Sequence, residues 1–290
     1  MRGGNPFTLL AGAAALFALC GCSALERSLI FPGQATQRRA DALLDGSANY
    51  ELVELRTQSG DRIVAQFGRA LAKPPAGANA ARPTLIYFYG NGSCVAYSQQ
   101  EFDRFRRLGL NVLIPEYPGY GMSDGRASER NCYEAADAAY DYVSTRKDVA
   151  AGEIFAAGWS LGGAVAIDLA SRRDVRRLVT ISAFTTMPAV ARSVAPWAPT
   201  SLIIRSRFDN LAKLPRISCP ILLVHGMRDT LVPHAMSHDL AASVSHGSIR
   251  RLDLPHSAHN DIFLVEAERL WRELAAFLET QPVTASSGSN

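Results

Sequence analysis

Six short apolar runs punctuate the chain from residue 84 onward, and this alternation constrains the fold more than any other feature. They are TLIYFYG (84–90), NVLIPEY (111–117), EIFAAGW (153–159), RLVTISAF (177–184), PILLVHG (220–226) and IRRLDLP (249–255). Between most of them lie amphipathic segments of helical period, such as SQQEFDRFRRLG, CYEAADAAYDYVSTR and LGGAVAIDLASR. Strands alternating with helices predict parallel strands joined by crossovers. Runs that are apolar almost throughout predict a sheet buried on both faces, with helices on each side. Upstream, YELVELRT, the turn SGD and RIVAQFGRAL alternate apolar and polar residues and predict an antiparallel hairpin.

The helix–strand alternation fails once. Residues 185–218 are long, bear prolines and do not form one plain helix, so a small cap inserted between two strands is expected there. The domain is expected over 50–278, preceded by a polar tether at 22–49 and followed by a small-residue, disordered tail at 279–290. There are no internal repeats.

The N-terminus carries one arginine, an uncharged apolar run from Thr8 to Cys20, then small residues, the layout of a secretory signal peptide over 1–21. The run is short for a span, which needs about 20 apolar residues. The tetrad LCGC (19–22) resembles the bacterial lipobox, which implies that Cys22 is lipidated and that an exported domain is held at a membrane surface. With Cys20 removed, Cys94, Cys132 and Cys219 remain, an odd number. An oxidising compartment would allow Cys94 and Cys132, both expected on loops at one end of the sheet, to bridge. No Cys/His spacing matches a zinc site, so no metal or other cofactor is expected. The formal charge of +3 is small, and the basic groups at 104–107 and 172–177 fall at expected helix ends, so no nucleic-acid partner is predicted.

Gly158-Trp159-Ser160-Leu161-Gly162 fits G-x-S-x-G where a strand ends and a helix begins. In that setting the serine sits on a strained turn, flanked by glycines because a Cβ would clash, with its hydroxyl raised at the sheet edge. A serine hydroxyl needs a neighbouring base to become a nucleophile. The elbow's chain order is serine, acid, histidine. Asp229 lies just past the strand PILLVHG; Asp209, before that strand, is a weaker alternative. All six histidines follow Ser160. His225 is expected inside the strand, His234 and His238 on a solvated helix face, and His246 in a polar turn. The base must follow the last strand, where both His256 and His259 qualify by position.

The chain from about residue 27 to 278 resembles α/β-hydrolase serine enzymes, in particular bacterial lipoprotein-type members similar to the eukaryotic protein depalmitoylases of the α/β-hydrolase-domain group. The carrying segments are ERSLIFPG, YGNGS, PEYPGYGMSDG, GWSLGG, RFDNLAKLPRISCPILLVHGMRDTLVP and AHNDIF. The resemblance implies an α/β-hydrolase fold and a triad of Ser160, Asp229 and His259, since the family's catalytic histidine precedes Asn-Asp, as His259 does. It implies oxyanion donors at the backbone of Leu161 and of Asn91, with Gly92 next. It implies that the loop YPGYG (117–121) borders the site, so Tyr117 and Tyr120 are expected to line the acyl pocket. The family usually has His where this chain has Tyr89, which leaves local loop packing open. The expected activity is hydrolysis of carboxylic esters or thioesters of small or lipid-like acyl substrates. An exopeptidase or amidase with the same triad, an idle binding protein on the scaffold, and, more remotely, a metal-dependent hydrolase are the alternatives.

Overall fold

The computed structural model describes residues 26–44, 49–71, 81–245 and 247–278. The expected signal peptide, Cys22, His246 and the C-terminal tail lie outside the described residues, as does part of the linker after the hairpin.

Eight strands form one sheet: β1 (Glu51–Arg56), β2 (Arg62–Gly68), β3 (Arg82–Phe88), β4 (Asn111–Pro115), β5 (Val149–Trp159), β6 (Arg177–Ile181), β7 (Ile221–Gly226) and β8 (Ile249–Leu254). Their order is β1-β2-β4-β3-β5-β6-β7-β8. The expected hairpin is present, with Glu51 opposite Phe67 and Arg56 opposite Arg62, and β2 runs antiparallel to β4. All pairings from β4 to β8 are parallel. Every residue of β4 and β7 is buried, so both faces of the sheet are covered, as the near-continuous apolar runs require. The outer strands β1 and β8 instead alternate in burial, which is the pattern of strands with one wet face.

Two expected boundaries moved for physical reasons. NVLIPEY leaves the sheet after Pro115, because Glu116 and Tyr117 turn inward to hydrogen-bond partners under the neighbouring loop. β5 begins at Val149, four residues earlier than expected, and its register against β3 shifts between Arg82 and Thr84. Helix Glu129–Ser144 is capped by Ser128, whose hydroxyl accepts from the N–H of Asn131. The helix after β5, Leu161–Ala170, is buried at all ten positions; it runs through the middle of the molecule and has no polar face.

Residues 185–218 do interrupt the alternation, as three short helices, Met187–Val194, Thr200–Ile203 and Asn210–Lys213, and one turn of 3-10 helix at Leu214–Arg216. Cys94, Cys132 and Cys219 are all free, which corrects the expected Cys94–Cys132 bridge. Cys132 lies within the first turn of its helix, against Tyr117 and Tyr120, whereas Cys94 lies beside Glu116 and Tyr97. The two thiols face different neighbours.

Candidate active site

Parallel strands deliver their C-terminal ends to one edge of the sheet, and the loops that follow β3, β5, β7 and β8 meet there. Ser160 occupies the turn from β5 into the helix at φ +54°, ψ −116°, a conformation that L-residues other than glycine rarely adopt. The glycines around it are steric necessities. A Cβ on Gly158 would stand 2.0 Å from the carbonyl oxygen of Gly162, and one on Gly162 would stand 2.0 Å from that of Phe88. The strand, the helix and β3 therefore approach as closely as they do only because these positions lack side chains.

Asp229 follows β7 by three residues. Its Oδ1 accepts the N–H of Leu231 at 3.0 Å and of Val232 at 2.7 Å, which fixes the carboxylate plane. Its Oδ2 lies 2.7 Å from His259 Nδ1, and His259 Nε2 lies 3.0 Å from Ser160 Oγ. Burial alone would raise the Asp229 carboxyl. Hydrogen bonds from His225 and His259, and from the Val232 backbone, outweigh that and hold it well below the usual carboxylate range. The aspartate is thus ionised and oriented, and it dictates that His259 carries its proton on Nδ1 and offers a bare Nε2 to the serine.

His259 is held by its own loop. The side chain of Asp261 accepts the N–H of Ala258 at 2.6 Å, giving the trailing aspartate of His-Asn-Asp a structural task. Glu266 gathers the N–H of His256 and both the N–H and hydroxyl of Ser257 on one carboxylate oxygen. The ring of Trp159 lies 5.7 Å from that of His259, tilted by 34°. His256 itself is exposed, its Nδ1 facing Arg228 at 3.5 Å, and it takes no part in the Ser160 line.

Asn91 and Gly92 line a cavity of about 320 Å³ together with Trp159, Ser160, Leu231 and His259. Among the described residues, no hydrogen bond engages the backbone N–H of Asn91, Gly92 or Leu161. Leu161 N–H is the first of its helix and lacks an intrahelical acceptor by position. The carbonyl of Asn91, by contrast, is tied back by Gly33 N–H at 3.0 Å and by the Tyr120 hydroxyl at 2.9 Å.

Tyr117 and Tyr120 were expected in the pocket wall, and the structure corrects this. Both are fully buried behind the loop, their hydroxyls donating to the carbonyls of Tyr89 and Asn91. Tyr89 completes the layer. Its ring centroid lies 4.7 Å from that of Tyr117 and 6.2 Å from that of Tyr120, and its hydroxyl donates to buried Glu116 at 2.5 Å. Three tyrosines and one acid thus build the floor under the loop in which Asn91 sits.

The remaining histidines divide. His225 is buried in β7 as expected, yet it also reaches the acid, with Nε2 at 2.9 Å from the Val232 carbonyl and 3.4 Å from Asp229 Oδ2. That role was not apparent in the sequence; a histidine four residues before the acid, at a strand end, is the signal that could have found it. His234 and His238 do not lie on a merely solvated face. His234 Nε2 meets Asp253 Oδ1 at 2.9 Å, and these two and His238 place one ligand atom each within 4.8 Å of one another. The guanidinium of Arg251 lies among them, 2.6 Å from Asp253 and 2.8 Å from His238, so a cation of the chain itself fills that space. Asp209 caps the short helix Asn210–Lys213 and stands apart from the serine.

A sequence profile of the Alpha/beta hydrolase family matches residues 88–210. The chain is 28% identical over 253 residues to "Uncharacterized protein Rv2307c" of Mycobacterium tuberculosis, covering 87% of this chain and 86% of that one. It is 33% identical over 190 residues to the alpha/beta hydrolase domain-containing protein aho-3 of Caenorhabditis elegans, covering 63% of this chain and 55% of that protein. Its fold is similar to that of the esterase Pf2001 of Pyrococcus furiosus, with a TM-score of 0.67 at 19% identity over 81% of this chain and 91% of that one.

Proposed function

Because this chain belongs to the α/β-hydrolase superfamily, we propose that it is a serine hydrolase of carboxylic esters or thioesters, with Ser160 as nucleophile. The observation that carries this reading is the hydrogen-bonded line Asp229–His259–Ser160 at 2.7 and 3.0 Å, opening onto a cavity with unengaged backbone N–H groups. In the first step His259 Nε2 takes the Ser160 proton as Oγ attacks the acyl carbonyl. The negative oxygen of the tetrahedral intermediate is received by the N–H groups of Leu161 and Asn91, with Gly92 beside them. The imidazolium returns its proton to the leaving alcohol or thiol, leaving an acyl-enzyme on Ser160. Water, deprotonated by the same imidazole, then releases the acid. Asp229 stays ionised throughout and stabilises the imidazolium.

Cys22 and the apolar run before it support a second part of the reading: an exported chain lipidated at Cys22 and held at a membrane surface. No helix among the described residues is long and apolar enough to cross a membrane.

The direct test is Ser160→Ala against a short p-nitrophenyl ester and a fluorophosphonate label. Loss of both with an unchanged circular dichroism spectrum is expected. Retained turnover would show that another group is the nucleophile. A panel of acyl esters and thioesters of graded length, with aminoacyl amides beside them, then defines the leaving group and the depth of the acyl site.

A further inference from the structure

The segment between β6 and β7 presents large apolar side chains to solvent within ten residues of one another. Val194 is 63% exposed, Trp197 87%, Leu202 85% and Ile203 46%. Scattered surface apolar residues are ordinary, but a group that includes a nearly bare tryptophan marks a surface that something else covers. The turn between helices Met187–Val194 and Thr200–Ile203 is a built structure. Thr200 Oγ1 donates to the Pro188 carbonyl at 2.9 Å, and Ile204 N–H returns to Thr200. The apolar side chains are therefore held outward by a folded hairpin.

Charge says what covers them. Residues 185–218 carry Arg192, Arg205, Arg207, Lys213 and Arg216 against one acid, Asp209. Lys213 is committed to Asp168 at 3.0 Å, but exposed Arg192, Arg205 and Arg207 form no ion pair among the described residues. Tryptophan and aliphatic side chains rimmed by free arginines fit the interface of a bilayer with anionic headgroups, where apolar groups enter the acyl boundary and guanidiniums meet phosphates. The chain's entry point lies at the same place. The Glu26 carboxylate accepts the N–H groups of Arg205 at 3.0 Å and Ser206 at 2.8 Å, and Phe31 packs on Phe208 at 6.1 Å between ring centroids. Cys22 precedes Glu26 by four residues, so an anchor there would lie within about 14 Å of extended chain from Glu26.

We infer that the Val194–Ile203 hairpin docks on an anionic lipid surface, with Trp197 and Leu202 entering the interface. The docked hairpin also touches the catalytic rim. Ser193 Oγ donates to the carbonyl of Leu231, a residue of the cavity wall, at 3.3 Å. Lipid-like acyl esters would thus reach Ser160 from the docked side. The docking itself does not depend on the esterase reading.

The chain has three tryptophans, and Trp159 and Trp271 are not freely exposed, so Trp197 reports its own depth. The experiment mixes the full chain with vesicles of phosphatidylcholine and phosphatidylglycerol and follows tryptophan emission. A blue shift, with quenching by brominated acyl chains, is expected; both should vanish in Trp197→Phe and weaken in Arg205→Gln/Arg207→Gln. Hydrolysis of a soluble ester by these variants should be unchanged, which shows that they fold. If the chain sediments with vesicles but Trp197 neither shifts nor is quenched, an anchor alone holds it and the docking surface is refuted. An equal shift on pure phosphatidylcholine overturns the anionic requirement. A shift without vesicles that grows with protein concentration makes a second copy the occupant instead.

Discussion

The hydroxyl of Tyr120 donates to the backbone carbonyl of Asn91 at 2.9 Å, joining the loop after β4 to the loop after β3. A trans peptide points its carbonyl and its N–H in opposite directions, so holding the Asn91 carbonyl back orients the Gly92 N–H away from Tyr120. In the proposed mechanism Gly92 stands beside the Asn91 donor at the oxyanion, so the tyrosine would act on the reaction through the Gly92 N–H it orients.

Tyr120→Phe should therefore lower kcat by about 2- to 10-fold, the worth of one neutral hydrogen bond. KM for a short ester should change little, because the phenyl ring keeps its packing. Steady-state kinetics separate the two; an equal rise in KM with kcat untouched would place the side chain in the binding wall after all.

His259→Ala should remove at least about 10³-fold of kcat/KM, whereas His256→Ala should remain within about 2-fold of the parent. The reason is geometric: one imidazole is 3.0 Å from Ser160 Oγ and the other faces Arg228 on the surface. Parallel assays of the two variants decide the matter.

Asp229→Asn should lower kcat by about 10³- to 10⁴-fold with the fold retained, because an amide cannot hold His259 in the Nδ1–H tautomer or stabilise the imidazolium. His225 sits 3.4 Å from the same oxygen. Its replacement by Gln should cost far less, which rate measurements on both variants will show.

Gly162→Ala should destabilise the domain by at least about 3 kcal/mol, since the new methyl meets backbone rather than a movable side chain. Gly163→Ala should be milder: its Cβ would meet the Ala183 methyl at 3.1 Å. Urea denaturation of both variants, with the slope compared, measures the difference.

Glu116 offers a test by pH. Burial pushes its carboxyl from 4.5 up to about 7, against hydrogen bonds from Tyr89 and Val95 that pull it down. Between those two values the folded chain holds a proton that the unfolded chain has released, so stability falls as pH rises through this window. The loss contributed by this one group is about 3 kcal/mol when complete. Glu116→Gln should flatten the dependence of Tm on pH between 4.5 and 7 relative to the parent. An unchanged slope would mean that Glu116 is already ionised at the lower end.

Much of this fold was readable in advance. The apolar runs at β3 through β8 and the helical period between them are local properties, and they imply a parallel sheet before any contact is known. The elbow was equally legible, because Gly158, Ser160 and Gly162 are demanded by a turn whose crowding is set by backbone alone. Position after a strand narrowed the acid to Asp229 and the base to His256 or His259, since strand ends are where loops meet.

Choosing between those histidines needed either the family resemblance or the coordinates. Both follow β8 within five residues, and only the turn pinned by Asp261 and Glu266 sends one ring inward and the other out. The same limit explains the tyrosines. YPGYG announces a turn, but whether Tyr117 and Tyr120 face the cavity or its floor depends on Tyr89, Asn91 and Glu116, which come from other loops. Local sequence thus determined which backbone elements form, with their ends placed to within a few residues. Side-chain direction at those ends was decided by partners distant in the chain, because a rotamer is chosen by the neighbours that satisfy its polar atoms, and only tertiary structure brings those neighbours together.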